Sequence, residues 1–261
     1  MLSDTARRLR AELVADRGLR GAEFGARLAD LVDRVVREAS SELAGGSEWT
    51  VVALGSYARR ELTPGSDVDV MLLHPGGRHD APTADDAGVL WYPLWDAGFT
   101  LGQSVRSVKE ALTIADDDLD ALTALLDVRL VVGDSALADD LAARVRELAP
   151  RRRDRVVEAL AAAAAERLGR PGPIAEMLEP DLKQGGGGLR DVQAPGWAAW
   201  TLPSGAEDDR DLLDGRSWDA GIARLVERGY LQPEDPGRLS DARARLLDAR
   251  VALHRVTGGR S

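Results

Sequence analysis

Val51-Val52-Ala53-Leu54-Gly55-Ser56-Tyr57-Ala58-Arg59-Arg60-Glu61-Leu62-Thr63-Pro64-Gly65-Ser66-Asp67-Val68-Asp69-Val70-Met71 is the stretch that decides the fold. The β-branched apolar run from Trp49 to Leu54 suits a buried strand. It ends in Gly55-Ser56 and turns into a short helical stretch reaching Leu62, an arrangement that offers backbone N–H groups and a hydroxyl to an anion. Gly55 lets a phosphate come close to the backbone, where a Cβ would obstruct it. After the Pro64-Gly65 turn, a second strand from Asp67 to Leu73 carries two carboxylates two residues apart. Strand alternation puts Asp67 and Asp69 on one face and Val68, Val70 and Leu72 on the other. Two adjacent carboxylates repel unless a cation lies between them, and Mg²⁺ binds through one or two carboxylates plus substrate phosphates. A phosphate cradle beside such a pair is what metal-assisted nucleotidyl transfer needs. Asp-x-Asp by itself is more often a solvated strand edge, so the joint occurrence of the two features carries the reading.

Working outward, apolar residues recur at helical spacing from Asp4 to Leu43, which predicts two amphipathic helices broken near Gly18 to Gly21. Gly45-Gly46-Ser47 and the Pro75 to Pro82 segment are expected as loops. Helix is expected over Ala87–Trp95, a strand over Thr100–Val105, and helices over Val108–Ile114 and Leu119–Val132. Asp116-Asp117-Asp118 stands where carboxylates cap the last of these. From Ala136 the pattern is helical almost throughout, with an alanine-rich tract in 155–168 and later helices at Trp218–Tyr230 and Leu239–Val256. Irregular segments are expected at 170–188 and 203–215. The predicted organisation is N-terminal helices over 1–44, an α/β unit over 45–150 and an all-α unit over 151–261 that holds a glycine-rich loop at 185–188.

A formal net charge of -10 argues against broad electrostatic binding to DNA or RNA. The absence of cysteine excludes disulfides, thiolate nucleophiles and cysteine-based zinc sites. Met1 to Arg10 lacks a signal-peptide pattern, and no stretch approaches the ~20 apolar residues of a membrane span. A cytoplasmic protein that binds neither membrane nor nucleic acid is expected. The tryptophans Trp91, Trp95, Trp197, Trp200 and Trp218 are expected to pack helix interfaces, and the Arg151-Arg152-Arg153 run is expected to be a charged linker.

Gly55-Ser56 followed by Asp67-x-Asp69 resembles the signature of the DNA polymerase β-like nucleotidyltransferase superfamily. The fuller string Gly-Ser-Tyr-Ala-Arg-Arg-Glu-Leu-x-Pro-x-Ser-Asp-x-Asp resembles the PII uridylyltransferase family, bacterial nitrogen-sensor enzymes that modify the PII signalling protein. Leu178-Glu179-Pro180-Asp181-Leu182-Lys183-Gln184-Gly185-Gly186-Gly187-Gly188-Leu189-Arg190-Asp191-Val192-Gln193 is similar to a second motif of that family, and Leu253-His254-x-x-Thr257-Gly258 fits its continuation. The resemblance implies an α+β fold, a small mixed sheet with helices followed by an all-α domain. It implies that Gly55 and Ser56 hold the triphosphate of UTP or ATP, and that Asp67 and Asp69 are the catalytic Mg²⁺ ligands. Arg59, Ser66, Lys183 and Arg190 are implied supports of the nucleotide, with an internal Arg190–Asp191 salt bridge as the competing reading. The implied reaction moves UMP, or AMP, to a Tyr hydroxyl of a PII-like protein.

The sequence also departs from the family pattern. Full members carry an HD-type hydrolase domain and two ACT domains, and this sequence stops at Ser261 with His79-Asp80 as its one His-Asp dipeptide. Neither hydrolase activity nor glutamine sensing is expected from these residues. Superfamily members usually supply a third acid from a later strand, yet Thr100 to Arg106 contains none, and Gln103 stands where relatives often show His. Asp116 to Asp118, Asp120 and Asp127 are the alternatives. An NTP-binding regulatory module with weak or no catalysis, and a nucleotidyltransferase with another acceptor, stay open as rival readings.

Overall fold

A computed structural model describes residues 2–42, 49–77, 82–169, 181–203 and 217–258. The Gly45-Gly46-Ser47 loop, His79-Asp80, Leu178-Glu179-Pro180, residues 204–215 and Ser261 lie outside them. The N-terminal pattern becomes α1 (Leu2–Ala15) and α2 (Gly21–Ser40), whose buried Phe24, Leu28, Leu31, Val32, Val35 and Val36 make one apolar face. β1 (Thr50–Ala53) leads into the one-turn helix α3 (Gly55–Ala58), and the chain returns as β2 (Val68–His74). Next come α4 (Ala84–Asp96), β3 (Leu101–Ser107), α5 (Val108–Asp117), α6 (Leu119–Leu126) and β4 (Arg129–Gly133). The remaining described elements are helical: α7 (Ser135–Arg151), α8 (Arg153–Gly169), α9 (Leu189–Ala199), α10 (Ser217–Glu227) and α11 (Asp235–Thr257). None of the described helices is long and apolar enough to cross a membrane.

The sheet runs β3-β2-β1-β4, with β2 and β3 parallel and the other pairs antiparallel. The chain therefore has the expected α+β architecture, a small mixed sheet with many helices. Alternation along β2 divides the interior into two cores. Val68, Val70 and Leu72 pack with α1, α2 and α4, while Met71 and Leu73 pack with α5, α6 and α7. The second core reaches past residue 150 to Val156, Leu160, Trp197 and Trp200, so the helices after α7 close over the face of the sheet that Asp69 shares.

The helical stretch expected to reach Leu62 ends at Ala58, and one expected element is overturned outright. The helix predicted over Leu119–Val132 is α6 followed by β4. Asp127 leaves helical geometry at φ -110 and ψ 53, and the apolar run after it pairs with β1 as the sheet's far edge. A run of Leu and Val reads equally well as buried helix or buried strand, and here the pairing partner lies about 80 residues upstream. Asp118 does cap α6, accepting from the Ala121 N–H at 3.1 Å. The Arg151 to Arg155 cluster is also structural. Arg152 pairs with Asp116, and Arg155 donates to the Asp116 and Asp117 carbonyls at the end of α5, at 2.7 and 2.8 Å. Trp197, Trp200 and Trp218 are buried between helices, each with its indole N–H bonded, whereas Trp95 is partly exposed beside Tyr92.

Candidate active site

The β1–β2 corner brings the two halves of the first motif together. The Leu54 N–H donates to the Asp69 carbonyl at 2.9 Å, which sets Gly55 against the carboxylate of Asp69. Gly55 takes φ +53, the left-handed region that favours glycine, and a Cβ built there would stand 3.5 Å from Asp69 Oδ2. On the other side, the parallel register places Gly102 of β3 opposite Asp69, and a Cβ at Gly102 would come within 2.3 Å of Oδ1. Asp69 is thus seated between two glycine positions. Asp67 is exposed just before β2 begins.

Gly55, Ser56, Arg59 and Asp69 line one cavity of about 300 Å³ together with Lys183, Arg190 and Arg250. Burial raises the Asp69 pKa, and Asp67 adds to this by like-charge repulsion, while Lys183, Arg59 and Arg190 pull the other way. Lys183 is shifted down, by burial first and then by Arg190 and Arg250. Among the described residues its ammonium makes neither a hydrogen bond nor an ion pair.

The glycine-rich segment explains how Lys183 and Arg190 reach the cavity side by side. Asp181 Oδ1 accepts from the Lys183 and Gln184 N–H groups, and the Arg190 N–H donates to the Lys183 carbonyl at 3.1 Å. Gly188 sits inside this fold, where a Cβ would lie 2.8 to 3.2 Å from three carbonyl oxygens. Asp191 bonds the Gly187 N–H at 2.7 Å and pairs with Arg167 at 2.6 Å. The Arg190–Asp191 salt bridge is therefore not formed. Arg190 instead lies over the Trp197 ring, 5.1 Å from its centroid, with the exposed Asp120 3.6 Å away.

Two of the expected nucleotide supports have other work. Arg59 lies in the cavity wall, but its guanidinium is held by Glu61 at 2.6 Å and by Asp127. Ser66 is not among the cavity-lining residues: its Oγ accepts from the Thr63 N–H at 2.9 Å and meets Thr63 Oγ1 at 2.8 Å, closing the turn before Asp67. Of the alternative acids, Asp127 is buried and bonded by Arg59, Trp197 and Ser217, and Asp120 lines the cavity on α6. On β3 the residues that share Asp69's face are Gly102, Ser104 and Arg106, none of them acidic.

His254 and Arg250, one turn apart on α11, are the residues sequence reading missed. His254 Nδ1 accepts from the Gly65 N–H at 3.1 Å and from the Thr63 hydroxyl at 2.8 Å, so its proton is on Nε2. It thereby clamps the loop that delivers Asp67. The motif Leu253-His254-x-x-Thr257-Gly258 marked this helix, and the helical repeat places Arg250 on the face of His254.

Burial, and then the charge of Arg250, hold the His254 pKa down to about 4, against 6.5 when unperturbed. The folded state thus binds fewer protons than the unfolded chain in that window. Stability from this group is complete above pH 6.5 and is lost as the pH falls toward 4, at up to about 1.4 kcal/mol per pH unit. Denaturant titrations at pH 7 and pH 5 are expected to show this loss in the wild type and a smaller one in His254→Gln. Equal pH slopes in the two proteins would rule the clamp out as the titrating group.

A nucleotidyltransferase domain profile matches residues 33–125, and the profile of the GlnD PII-uridylyltransferase family matches residues 155–261. Among curated relatives, a bifunctional uridylyltransferase/uridylyl-removing enzyme of Mycobacterium tuberculosis is 41% identical over 224 residues, covering 83% of this chain and 24% of the relative. Proteins of the same name from Streptomyces coelicolor (38%, covering 80% of this chain and 22% of the relative) and Thiobacillus denitrificans (36%, covering 92% and 26%) are similar. The chain spans about a quarter of the length of the curated relatives it matches. One profile covers the glycine-serine corner and its carboxylate strand, and the other covers the helices that bring Lys183, Arg190 and Arg250 over them. The chain is thus similar over most of its length to uridylyltransferase/uridylyl-removing enzymes, with a nucleotidyltransferase domain match followed by a match to the GlnD PII-uridylyltransferase family.

Proposed function

We propose that the chain transfers UMP, or AMP, from an NTP to a Tyr hydroxyl of a PII-type signalling protein and releases pyrophosphate. The observation that carries this reading is the Asp69 carboxylate, seated between Gly55 and Gly102 and facing a cavity whose other walls supply Lys183, Arg190 and Arg250. Anionic substrate and carboxylate can share such a space only with a cation between them. The chemistry of the donors fits Mg²⁺, since a half-buried carboxylate beside a second, exposed one leaves room for phosphate oxygens and water to complete the shell. Bound by Asp67 and Asp69, the ion would neutralise charge on the attacking and leaving oxygens.

The protein's own residues orient the substrate. The Gly55 backbone and the Ser56 hydroxyl, which has no bond to any described residue, receive phosphate oxygens at the corner. Lys183 and Arg190 bring positive charge to the phosphates from α9 and the loop before it. The acceptor oxygen attacks the α-phosphorus in line as the bond to the bridging oxygen breaks, so pyrophosphate leaves with the electron pair and the hydroxyl proton passes to a base or to solvent.

One observation favours a second reading, NTP binding without transfer. Among the described residues no cluster of three or more acidic, His or Cys side chains could hold a metal, and β3 brings no acid to Asp69. Incubation with Mg²⁺, a PII protein and labelled UTP or ATP separates the readings. Label on the PII tyrosine is the expected result. Binding without label would establish the second reading, and label on another acceptor would keep the chemistry while refuting the partner.

A further inference from the structure

Arg250 is, with Lys183, a cation in this cavity that folding does not account for. It is 8% exposed, it lines the cavity, and its Nε is buried without a hydrogen-bond partner. Among the described residues its guanidinium forms no ion pair. The buried Arg129 and Arg167 are matched by Asp33 and Asp191, and the half-buried Arg59 and Arg243 by Glu61. A desolvated guanidinium without a counter-charge is a cost to the fold, and it is met when an anion docks against it.

Its surroundings say which part of a nucleotide that anion would be. The carboxylates that Arg250 senses are Asp181, Glu61 and Asp67, whereas Arg190 senses Asp120 and Asp127. The two arginines come from different parts of the wall, Arg190 lying over Trp197 near Asp120 and Arg250 standing on α11. Lys183 lines the same cavity, within the influence of both and of Asp69. Burial lowers the Arg250 pKa in spite of those three acids, consistent with a guanidinium short of negative charge.

We propose that Arg250 is a pyrophosphate-binding residue, holding with Lys183 the terminal phosphates of the NTP and the pyrophosphate that leaves. This rests on the nucleotidyl-transfer reading and adds to it a binding residue for the leaving group. Its position on α11 also ties it to the carboxylate loop, because His254, one turn on, holds Gly65. Pyrophosphate binding and the placing of Asp67 therefore depend on the same helix.

The test uses the full chain with Mg²⁺, titrated with pyrophosphate and separately with UMP, alongside thermal unfolding. Arg250→Gln is expected to weaken pyrophosphate binding by on the order of 10- to 100-fold, the range for a charged hydrogen bond, and to change UMP binding by less than about twofold. Arg250→Lys should fall between, since an ammonium keeps the charge but not the fork. Thermal stability of Arg250→Gln should equal or exceed that of the wild type, because an unmatched buried charge has gone. Unchanged pyrophosphate affinity in Arg250→Gln overturns the proposal, as does a parallel loss of UMP binding and stability, which would make Arg250 a structural strut. A wild-type chain that binds neither pyrophosphate nor any NTP overturns the transfer reading itself and this inference with it.

Discussion

Asp69→Asn is expected to lower nucleotide incorporation by on the order of 10³-fold while leaving the protein folded. The substitution keeps the shape of the side chain, so the contacts with Gly55 and Gly102 persist, and it removes the charge that a divalent ion would need. Stability should hold or rise. Burial and the neighbouring Asp67 both disfavour the ionised carboxylate, and an amide escapes both penalties. A purely structural Asp69 would give the opposite pattern, with reduced stability and activity surviving in the fraction that folds. Asp67→Asn should reduce incorporation too. Label transfer measured beside a thermal melt distinguishes the cases, and incorporation at the wild-type rate in Asp69→Asn with Asp67→Asn would remove the basis of the proposed mechanism.

The corner that holds Asp69 was legible because its determinants are local. A β-branched run, a Gly-Ser turn and an Asp-x-Asp pair lie within about twenty residues, and alternation along β2 orients Asp69, whereas Asp67 precedes the strand and is not among the cavity-lining residues. The helices over the N-terminal forty residues were legible for the same reason, since one apolar stripe per helix suffices. What the sequence did not disclose depends on distant partners. β4 is a strand because β1 is there to pair with it, and the preceding leucines of α6 continue the same apolar run. The partner of Asp191 could not be read either: Arg190 is adjacent in sequence, but Arg167, on another helix, takes the carboxylate and frees Arg190 for the cavity. Arg250 carries no local mark, being one of several arginines along α11, and only the fold shows which of them lines the cavity.

Arg59 shows how far a motif residue's task can differ from the one its position suggests, and its replacement carries the largest expected effect on stability. The guanidinium bridges Glu61 and Asp127, carboxylates that are 4% and 1% exposed. Glu61 also receives Arg243 of α11, and Asp127 receives Trp197 of α9 at 2.8 Å and Ser217 of α10 at 2.6 Å. Arg59 is therefore the centre of a buried network that joins the α3 turn to three later helices. Burial tends to raise the Glu61 pKa, and Arg59 with Arg243 overcomes it, so the group sits below the ordinary carboxylate range. Arg59→Met would leave two buried carboxylates short of charge and is expected to cost about 3–5 kcal/mol in denaturant unfolding. The deficit should shrink when Asp127→Asn is added, since the amide tolerates the lost cation, so a double-mutant cycle should show strong coupling between the two sites. The contribution of Glu61 is present above its unfolded pKa and lost as acid titrates it through the lower folded value, so Arg59→Met should also flatten the acid limb of the stability curve. If Arg59→Met instead unfolds like the wild type and loses nucleotide binding, the side chain contacts phosphate directly, and the network is not what holds the helical half over the site.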